Sequence, residues 1–243
     1  MSEALVIIPT YNEIENIRAI IDAVMRLPEE FDILIIDDNS PDGTASAVRE
    51  KQMQYTNRVY LEEREGKLGL GTAYIHGFKW GMARGYRYIM EMDADFSHNP
   101  EDLPRLLNAC KIEGADMSIG SRYVSGVNVV NWPMGRVLMS YFASAYVRMI
   151  TGTKLCDTTA GFVCYTDRVL KAINLDKIQF KGYAFQIEMK FKAFCRHFKI
   201  VEVPIIFINR QLGTSKMNSG IFGEAMFGVM KLKWQQLFSK DWI

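Results

Sequence analysis

The sequence is poor in cysteine and has no long apolar run. Its four cysteines include no CxxC pair, so neither a disulfide framework nor a zinc site is expected. No stretch reaches the roughly 18 consecutive apolar residues that a membrane-spanning helix needs. The N-terminal stretch MSEALVIIPTYNE has an acidic residue at position 3 and only a short apolar run, which is not typical of a signal peptide. These absences predict a cytosolic protein without a transmembrane helix.

A strong charge bias and the common nucleotide-binding fingerprints are also missing. Lysine plus arginine is 29 and aspartate plus glutamate is 28, whereas nucleic-acid binders are usually strongly basic, so we expect no nucleic-acid partner. No GxGxxG follows the first predicted strand, which disfavours a dinucleotide-dependent oxidoreductase. The glycine-rich stretch Gly66–Thr72 also lacks the P-loop pattern. By itself it predicts only a turn in which Gly69 and Gly71 allow close backbone approach.

The sequence does contain enough apolar material for a full core, arranged as alternating strands and helices. Hydrophobic residues make up 49% of the 243 residues, enough for one large α/β domain. The predicted strands are Ala4–Pro9, Phe31–Ile36, Arg58–Leu61, Tyr88–Met92, Met117–Gly120, Phe162–Tyr165 and Ile200–Ile208. The predicted helices are one capped by Asn12, Ala45–Tyr55, Thr72–Ala83, one capped by Asn99, Met134–Ile150, Ala184–Phe198 and a C-terminal amphipathic helix. Buried strands separated by helices predict a mostly parallel central sheet with helices on both faces.

Polar residues follow several predicted strands at the point where each strand ends. Asp37 and Asp38 follow the second strand, Asp93 and Asp95 the fourth, and Arg122 the fifth. Because ligands of open α/β sheets bind outside the carboxyl ends of the strands, these side chains predict a shared site. Asp93 and Asp95 would repel each other without a cation between them, and hard oxygen ligands favour Mg²⁺ or Mn²⁺ together with a phosphate. Zinc is not expected, because the three histidines show no ligand spacing.

Eight stretches of the sequence together resemble one family. They read VIIPTYNE, ILIIDDNSPDGT, REGKLGLGTAYIHGF, MDADFSHNPEDLPRLL, GSRYV, DTTAGFVCY, GYAFQIEM and VPIIFINRQLGTSK, and they follow the family's order from about Ala4 to Lys216. They resemble the dolichol-phosphate mannosyltransferases, the polyprenol monophosphomannose synthase group of family 2 glycosyltransferases. The resemblance implies a Rossmann-like GT-A fold that binds a nucleotide sugar. It also implies GDP-mannose as donor and transfer to a polyprenyl (dolichyl-type) phosphate with inversion at the anomeric carbon.

Without an internal repeat or a low-complexity segment, the pattern of elements predicts a single domain, 1–243, with three parts, and the resemblance implies roles for individual residues. The parts are a nucleotide-binding half, 1–122, an acceptor-side half, 123–220, and a C-terminal helix, 221–243. The nucleoside would be held by Pro9, Tyr11, Glu13, Ile36 and Asp38. The metal and sugar diphosphate would be held by Asp93, Ala94 and Asp95, with Ser97 at a position that is a metal ligand in some relatives. The cations of the phosphate site would be Arg122, Arg210 and Lys216, and the acceptor phosphate would contact Arg122, Arg136 and Ser140. The predicted catalytic residues are Asp95, Arg122 and Arg136.

The sequence leaves the acceptor class open. Asp157 and Glu188 are candidates for a general base, which a sugar hydroxyl acceptor needs and a phosphate dianion does not. One alternative is therefore a family 2 enzyme with another nucleotide sugar or a hydroxyl acceptor, as in cell-surface polysaccharide synthesis. Another is a non-catalytic nucleotide-sugar-binding subunit, against which the intact Asp93, Asp95 and Arg122 argue.

The C-terminal helix has an apolar face that allows two interpretations. This face comprises Phe222, Met226, Val229 and Leu237, with Ile221, Ala225, Trp234 and Phe238 alongside and Lys231, Lys233 and Lys240 nearby. Such a face is typical of a helix lying on a membrane, here the cytoplasmic face, reached directly or through a small membrane-anchoring partner. Trp132 would join that surface. The other interpretation is a helix docked on the protein's own core.

Overall fold

The strands and helices of the computed structural model lie close to the predicted ones. The structure describes residues 2–182, 184–210, 212 and 221–238. In these residues the strands are β1 Ala4–Thr10, β2 Phe31–Asp37, β3 Val59–Glu63, β4 Tyr88–Glu91, β5 Met117–Ser121, β6 Val129–Val130, β7 Val163–Thr166, β8 Ile200–Pro204 and β9 Phe207–Ile208. The α-helices are α1 Ile14–Met25, α2 Thr44–Gln54, α3 Leu70–Ala83, α4 Leu103–Lys111, α5 Met134–Thr151, α6 Asp167–Ala172, α7 Ala184–Cys195 and α8 Ile221–Phe238. Short 3-10 helices, Pro100–Asp102 and Leu175–Lys177, precede α4 and follow α6.

Seven of the described strands form one sheet, in the order β3-β2-β1-β4-β7-β5-β8. Neighbouring strands are parallel except where β7 is involved, since β7 runs antiparallel to both β4 and β5. The predicted mostly parallel α/β sheet is therefore confirmed. The reversal at β7 was not predicted, and it brings the loop before Val163 to the edge where the parallel strands have their carboxyl ends.

Alternation along the central strands places a separate apolar core on each face of the sheet. On β1, Leu5 and Ile7 pack with apolar residues of α3, α6 and α7, whereas Val6 and Ile8 pack with those of α1, α2 and α4. Successive side chains on a strand point to opposite faces, so one buried run supplies both cores. The predicted helices on both faces are confirmed.

The predicted strand Ile200–Ile208 is wrong in one respect, because the structure divides it into β8 and β9. β8 ends at Pro204, which has no N–H to continue the ladder. β9 leaves the main sheet and pairs with β6 in a small parallel ribbon. The ribbon lies beside the turn after β4, since the Ile208 N–H donates to Ser97 O at 3.4 Å.

The two predicted helix caps had different outcomes. The cap at Asn99 is confirmed, because its side chain accepts from the Glu101 N–H at 3.2 Å. The cap at Asn12 is wrong: Asn12 has a positive φ of 56°, and the Ile14 N–H donates to Asp42 Oδ2 at 3.0 Å. The loop after β2 therefore caps α1, and a partner so far along the chain is not visible in a local pattern.

Gly77 tests how closely α3 packs on the sheet. A Cβ there would lie 2.7 Å from Ile7 Cδ1 and 3.0 Å from Ile36 Cδ1. Gly77→Ala should lower the free energy of unfolding by about 1–3 kcal/mol, because overpacking outweighs alanine's better helix propensity. Gly135→Ala in α5 is the matched control, since nothing lies within 4 Å of its Cβ position. Urea denaturation should show the control unchanged or slightly more stable; equal stability of the two variants would contradict the prediction.

Candidate active site

The predicted site residues lie where parallel strands end at one edge of the sheet. Tyr11 and Glu13 follow β1, Asp38 follows β2, Asp95 follows β4 and Arg122 follows β5. β1 lies between β2 and β4, so the strand order changes direction there, and a crevice at such a point is the usual ligand site of an open α/β sheet. The antiparallel β7 lies between β4 and β5 and separates the end that carries Asp95 from the end that carries Arg122.

Asp93 and Asp95 lie in a turn, because β4 ends at Glu91. Asp95 is only 6% exposed. Its Oδ1 accepts a hydrogen bond from the Ser97 N–H at 3.0 Å and one from the Ser97 hydroxyl at 2.6 Å. Ser97, predicted at a metal-ligand position, therefore orients the Asp95 carboxylate in this structure.

His98 is a buried residue that contacts the same turn, and it was not among the predicted site residues. Its Nδ1 accepts a hydrogen bond from the Asp93 N–H at 3.1 Å, and its ring stacks on Phe162 at a centroid distance of 4.8 Å. Burial lowers the pKa of His98 to about 4, so the imidazole is neutral at pH 7 and can accept at Nδ1. His98 thus holds the backbone on which Asp93 and Asp95 are mounted. The sequence signal that could have identified His98 is its position in the MDADFSHNP stretch, three residues after Asp95.

In the part of the chain that the structure describes, Arg210 places a cation beside Asp95. Its Nη2 lies 2.6 Å from Asp95 Oδ2, and its Nη1 lies 3.9 Å from Glu13 Oε1. Burial by itself raises the pKa of Asp95, but the Ser97 hydrogen bonds and the charge of Arg210 outweigh burial and hold that pKa below its usual range. Arg210 therefore joins Glu13 and Asp95 in one cluster. Lys216, the other cation predicted on this stretch, lies outside the described residues.

Asp38 has a partner that the sequence analysis missed. The Arg64 guanidinium, which follows β3, approaches Asp38 Oδ1 at 2.6 Å. Burial raises the pKa of Asp38 in spite of this pairing. The neighbouring Asp37 has a structural task instead, since it accepts hydrogen bonds from the Thr10 and Ser40 side chains at 2.7 and 2.6 Å. Of the two adjacent carboxylates, Asp37 is thus held by side-chain hydroxyls and Asp38 by a guanidinium.

The remaining predicted donor residues differ in what they can present to a ligand. Pro9 and Tyr11 are half-buried, and Lys67 Nζ lies 5.3 Å from the centroid of the Tyr11 ring. Ile36 is 0% exposed and Ala94 is 4% exposed, and both side chains pack in the apolar cores. Ile36 and Ala94 can therefore contribute backbone atoms to a site, but not their side chains.

Arg122 is held in a buried ion pair with Asp157. Its Nε and Nη2 donate to the two carboxylate oxygens at 2.6 Å each, and its backbone N–H donates to Asp157 Oδ2 at 3.0 Å. Burial by itself raises the pKa of Asp157, but the charge and hydrogen bonds of Arg122 outweigh burial and hold that pKa below its usual range. Asp157 is thus ionised with both oxygens engaged, which does not suit a general base.

Aromatic rings surround the predicted acceptor-side arginines. The Arg122 guanidinium carbon lies 5.3 Å from the ring centroid of Tyr123, 5.5 Å from that of Trp132 and 5.6 Å from that of Phe207. The Arg136 guanidinium carbon lies 4.0 Å from the Trp132 ring. Trp132 therefore contacts both arginines, and its place on a membrane-binding surface stays a prediction. Such cation–π contacts hold a guanidinium without neutralising it.

Arg136 and Ser140 lie four residues apart on α5, which places them on one face of the helix. Arg136 Nη1 also donates to Asn209 Oδ1 at 3.1 Å. The structure thus brings Arg122 and Arg136 together around Trp132, with Ser140 on the next turn of α5. These are the three residues predicted to contact the acceptor phosphate.

The loop that carries Asp157 is held from two sides. Glu202 on β8 accepts hydrogen bonds from the Cys156 N–H at 2.7 Å and the Asp157 N–H at 2.8 Å. From the other side, Arg148 on α5 donates to Cys156 O at 2.9 Å. Hydrogen bonds with one charged partner are about twice as strong as neutral ones. The position of Arg122 therefore depends on residues of β8 and α5 that no local motif connects to it.

A second buried polar cluster joins α7 to both sides of the site. Gln186 donates to Glu91 of β4, and Lys190 donates to Ala160 O, in the loop before β7, at 2.6 Å. Burial raises the pKa of Glu91 to about 8 and lowers that of Lys190 to about 8. Gln186 and Lys190 thus connect α7 to β4 and to the loop before β7, the elements on which the site lies.

Glu188, the other candidate base, also supports the backbone. Its Oε2 accepts hydrogen bonds from the Gln179 N–H at 2.9 Å and the Phe180 N–H at 3.2 Å. In the same loop, Lys181 O accepts a hydrogen bond from the Gly71 N–H at 2.8 Å. A Cβ at Gly71 would lie 2.9 Å from Phe180 O, so the close backbone approach predicted there is confirmed. Glu188 is a loop support in this structure.

The carboxylates after β4 suit a divalent cation that shares its coordination with a phosphate. Among the described residues, no group of three or more His, Cys, Asp or Glu side chains could hold a metal ion. Asp93 and Asp95 offer hard oxygen ligands, and the Arg210 contact shows that Asp95 accepts a positive charge. Mg²⁺ commonly binds one or two carboxylates and takes its other ligands from water and substrate phosphates. The residues present therefore fit Mg²⁺ or Mn²⁺ bound with a diphosphate.

Comparison with known proteins assigns the chain to a family. Residues 5–173 match the family described as glycosyl transferase family 2. The chain belongs to glycosyl transferase family 2. It is 48% identical over 225 residues to a polyprenol monophosphomannose synthase of Mycolicibacterium smegmatis, with 93% of this chain and 84% of the relative covered. It is 47% identical over 227 residues to an undecaprenyl-phosphate mannosyltransferase of Micrococcus luteus, with 93% and 92% covered. The resemblance to the polyprenol monophosphomannose synthase group is confirmed.

Solved structures confirm the GT-A fold of this family 2 chain. A crystal structure of glucosyl-3-phosphoglycerate synthase from Mycobacterium tuberculosis, in complex with Mn²⁺, UDP and phosphoglyceric acid, matches with a TM-score of 0.69. The match covers 96% of this chain and 77% of that chain at 16% identity. A second structure of that enzyme, with Mn²⁺ and UDP-glucose, matches with a TM-score of 0.66 at 18% identity. At these identities the likeness concerns the fold alone.

The Arg122–Asp157 pair should be more important for stability than the Glu188 contact, although both carboxylates are buried. Asp157→Asn places an amide N–H₂ against a guanidinium and leaves a buried charge unpaired, which should cost about 3–5 kcal/mol of unfolding free energy. Glu188→Gln is the comparison variant, because its amide oxygen can still accept both backbone bonds and it gives up only the longer contact between Oε1 and Lys192 Nζ at 3.9 Å. We expect a loss of about 1 kcal/mol. Denaturant titrations of both variants measure the difference. A larger loss in Glu188→Gln would contradict this account.

Proposed function

We propose that this family 2 glycosyltransferase transfers mannose from GDP-mannose to a polyprenyl phosphate, with inversion at the anomeric carbon. The observation that supports the proposal best is the pair of arginines, Arg122 and Arg136, around Trp132 at the carboxyl edge of the sheet. Guanidinium groups held by rings suit an anionic acceptor, with Arg136 placed beside the Arg122–Asp157 ion pair. The names of the two relatives, a polyprenol monophosphomannose synthase and an undecaprenyl-phosphate mannosyltransferase, support mannose as the sugar and a lipid phosphate as the acceptor.

On the donor side, the nucleoside would lie against Pro9, Tyr11 and Asp38. The sugar diphosphate would lie at the turn of Asp93 and Asp95, where Arg210 supplies a cation beside Asp95. Arginine suits this task because its planar donors match phosphate oxygens. The sequence also places Lys216 on this stretch.

A Mg²⁺ or Mn²⁺ ion held by Asp93 and Asp95, with Ser97 alongside, would neutralise charge that develops on the departing diphosphate. Arg210, which lies beside Asp95, would contribute to the same neutralisation. Ser97 and His98 keep the turn in shape, the first by its bonds to Asp95 and the second by accepting the Asp93 N–H. No proton has to be moved on this side of the reaction.

On the acceptor side, a lipid phosphate needs charge compensation and no general base. Its second pKa of about 6 makes it largely a dianion at neutral pH. Bringing it to within 4 Å of another unit negative charge costs about 4 kcal/mol at an effective dielectric constant near 20. Arg122 and Arg136 would offset this cost. Asp157 and Glu188, the two candidate bases, are both engaged in structural hydrogen bonds.

A transfer assay tests donor, acceptor and metal together. Radiolabelled GDP-mannose with a polyprenyl phosphate should give lipid-phase counts, whereas UDP-glucose, or polyprenol in place of the phosphate, should give few. EDTA should abolish transfer, and Mg²⁺ or Mn²⁺ should restore it. Asp95→Asn should reduce turnover by a factor of about 10² or more, since it removes charge at the leaving group.

The control in this assay is Glu188→Gln, which removes any base but keeps the shape and the backbone bonds of Glu188. It should retain most of the wild-type turnover with the phosphate acceptor. A base contributes about 10²–10⁴-fold. A loss of that size in a folded Glu188→Gln variant, or full activity in EDTA, would contradict the proposed chemistry.

We also propose that the protein lies on the cytoplasmic face of a membrane, where a polyprenyl chain would be embedded. No helix in the described part of the chain is long and apolar enough to cross a membrane. α5 and α8 contact each other, since the Tyr146 hydroxyl donates to Met226 O at 3.0 Å. Both helices expose large apolar side chains, namely Met134, Leu138, Met139, Phe142 and Met149 on α5 and Met226, Phe227, Met230, Trp234, Leu237 and Phe238 on α8. This pair of helices supplies the apolar surface that an interfacial protein needs.

The described side chains of α8 divide into a docked side and an exposed side. Val229 is 1% exposed and Leu232 is 0% exposed, so that side docks on the protein. The predicted single face that combined Val229 with Leu237 is therefore wrong, because Leu237 is 60% exposed. The side chain of Phe222 and residue Lys240 lie outside the described structure.

Liposome flotation tests the membrane surface. The wild type should float with anionic liposomes, and Phe227→Ser/Trp234→Ser should float several-fold less, because two of the most exposed apolar side chains of α8 are lost. Met53→Ser on α2 is the control, since Met53 is 76% exposed but lies on another helix. No flotation of the wild type, with or without anionic lipid, would favour a membrane-anchoring partner protein instead.

A further inference from the structure

One short segment, Phe207–Arg210, touches both halves of the site. The Phe207 ring lies 5.5 Å from the His98 ring and 5.2 Å from the Trp132 ring. The next residue, Ile208, donates its N–H to Ser97 O at 3.4 Å. The first two residues of the segment therefore contact two parts of the site. One part is the turn after β4, and the other is Trp132, which lies beside Arg122 and Arg136.

The last two residues of the segment, Asn209 and Arg210, each contact one charged side chain of the site. Asn209 accepts a hydrogen bond from Arg136 Nη1 at 3.1 Å, and its own N–H donates to Val130 O at 3.1 Å. Arg210 pairs with Asp95 at 2.6 Å. Because Asn209 and Arg210 are adjacent in the chain, a change in the backbone at one of them moves the other.

We propose that Phe207–Arg210 couples the donor site to the acceptor site, with Asn209 as the positioning residue for Arg136. The inference rests on the function proposed above and adds an interaction between its two substrates. With no nucleotide bound, Arg210 pairs with Asp95 and Asn209 accepts from Arg136. A metal–diphosphate at Asp95 competes with Arg210 for the same carboxylate and offers Arg210 phosphate oxygens instead.

The movement of Arg210 to a diphosphate shifts Asn209, and Arg136 Nη1 then donates to the acceptor phosphate. The donor and the lipid phosphate therefore bind with positive cooperativity. Couplings between sites commonly amount to 5–150-fold in affinity, and they are reciprocal. For one hydrogen bond exchanged at Arg136, we expect a factor of about 10, at the lower end of that range.

Calorimetric titration of farnesyl phosphate into the full chain measures this coupling without turnover. The titration is made into protein alone, with Mg²⁺, with GDP and EDTA, and with GDP plus Mg²⁺. Only GDP plus Mg²⁺ should tighten farnesyl phosphate binding about tenfold, and farnesyl phosphate should tighten GDP binding by the same factor. Asn209→Ala should already bind farnesyl phosphate tightly without nucleotide, so that the factor falls to about 1.

Asn128→Ala is the matched control, because the Asn128 side chain contacts Ser125 Oγ at 2.9 Å just before β6, which pairs with β9. It should keep the tenfold factor. A factor near 1 in the wild type, with mannosyl transfer intact, would overturn the coupling and leave the proposed function standing. An unchanged tenfold factor in Asn209→Ala would overturn the role of Asn209. No binding of farnesyl phosphate in any state would count against both the coupling and the proposed acceptor.

Discussion

A buried guanidinium must be paired, and the acceptor side of this enzyme is organised around that requirement at Arg122. Arg122 is only 7% exposed, and Asp157 holds it through both carboxylate oxygens. A carboxylate removed from water needs its own hydrogen bonds in turn, because an incompletely satisfied buried charge is strongly destabilising. Glu202 and Arg148 hold the loop on which Asp157 lies, and they draw β8 and α5 into the site. The loop reaches this edge because it leads into the antiparallel β7.

The nearly buried carboxylate of Asp95 also needs a positive partner, and among the described residues that partner is Arg210. Asp95 is nearly buried, and its two oxygens are used by Ser97 and Arg210. The Ser97 bonds lie within the turn, whereas Arg210 comes from the segment after β9. A divalent ion bound with a diphosphate would supply the same positive charge, so the proposed function keeps the carboxylate compensated both with and without substrate. Arg122 has a buried carboxylate partner in Asp157, whereas Asp95 is paired with Arg210 from the end of the Phe207–Arg210 segment.

Much of the framework could be predicted from the sequence, and so could the edge of the sheet at which the candidate site residues lie. The central strands are continuous apolar runs, and such runs between helices specify a parallel sheet with two covered faces. Polar residues after β1, β2, β4 and β5 indicated the site because carboxyl ends of parallel strands meet at one edge. The motifs led to the mannosyltransferase group, which the relatives confirm. The general-base candidates could not be judged in the same way, because Asp157 and Glu188 differ from catalytic carboxylates only in what they contact.

By itself, the sequence determined the properties that depend on neighbours within a few residues. These are the strand and helix periods, the Asn99 cap, the carboxylate pair at Asp93 and Asp95, and the family motifs. Only the tertiary structure decided which partner each charge has, because those partners lie far apart in the chain: Asp157 for Arg122, Arg210 for Asp95 and Asn209 for Arg136. It also decided the direction of β7 and the division of α8 into a docked and an exposed side. Ion pairs and strand direction are set by where the folded chain places distant segments, and no local pattern of residues records that placement.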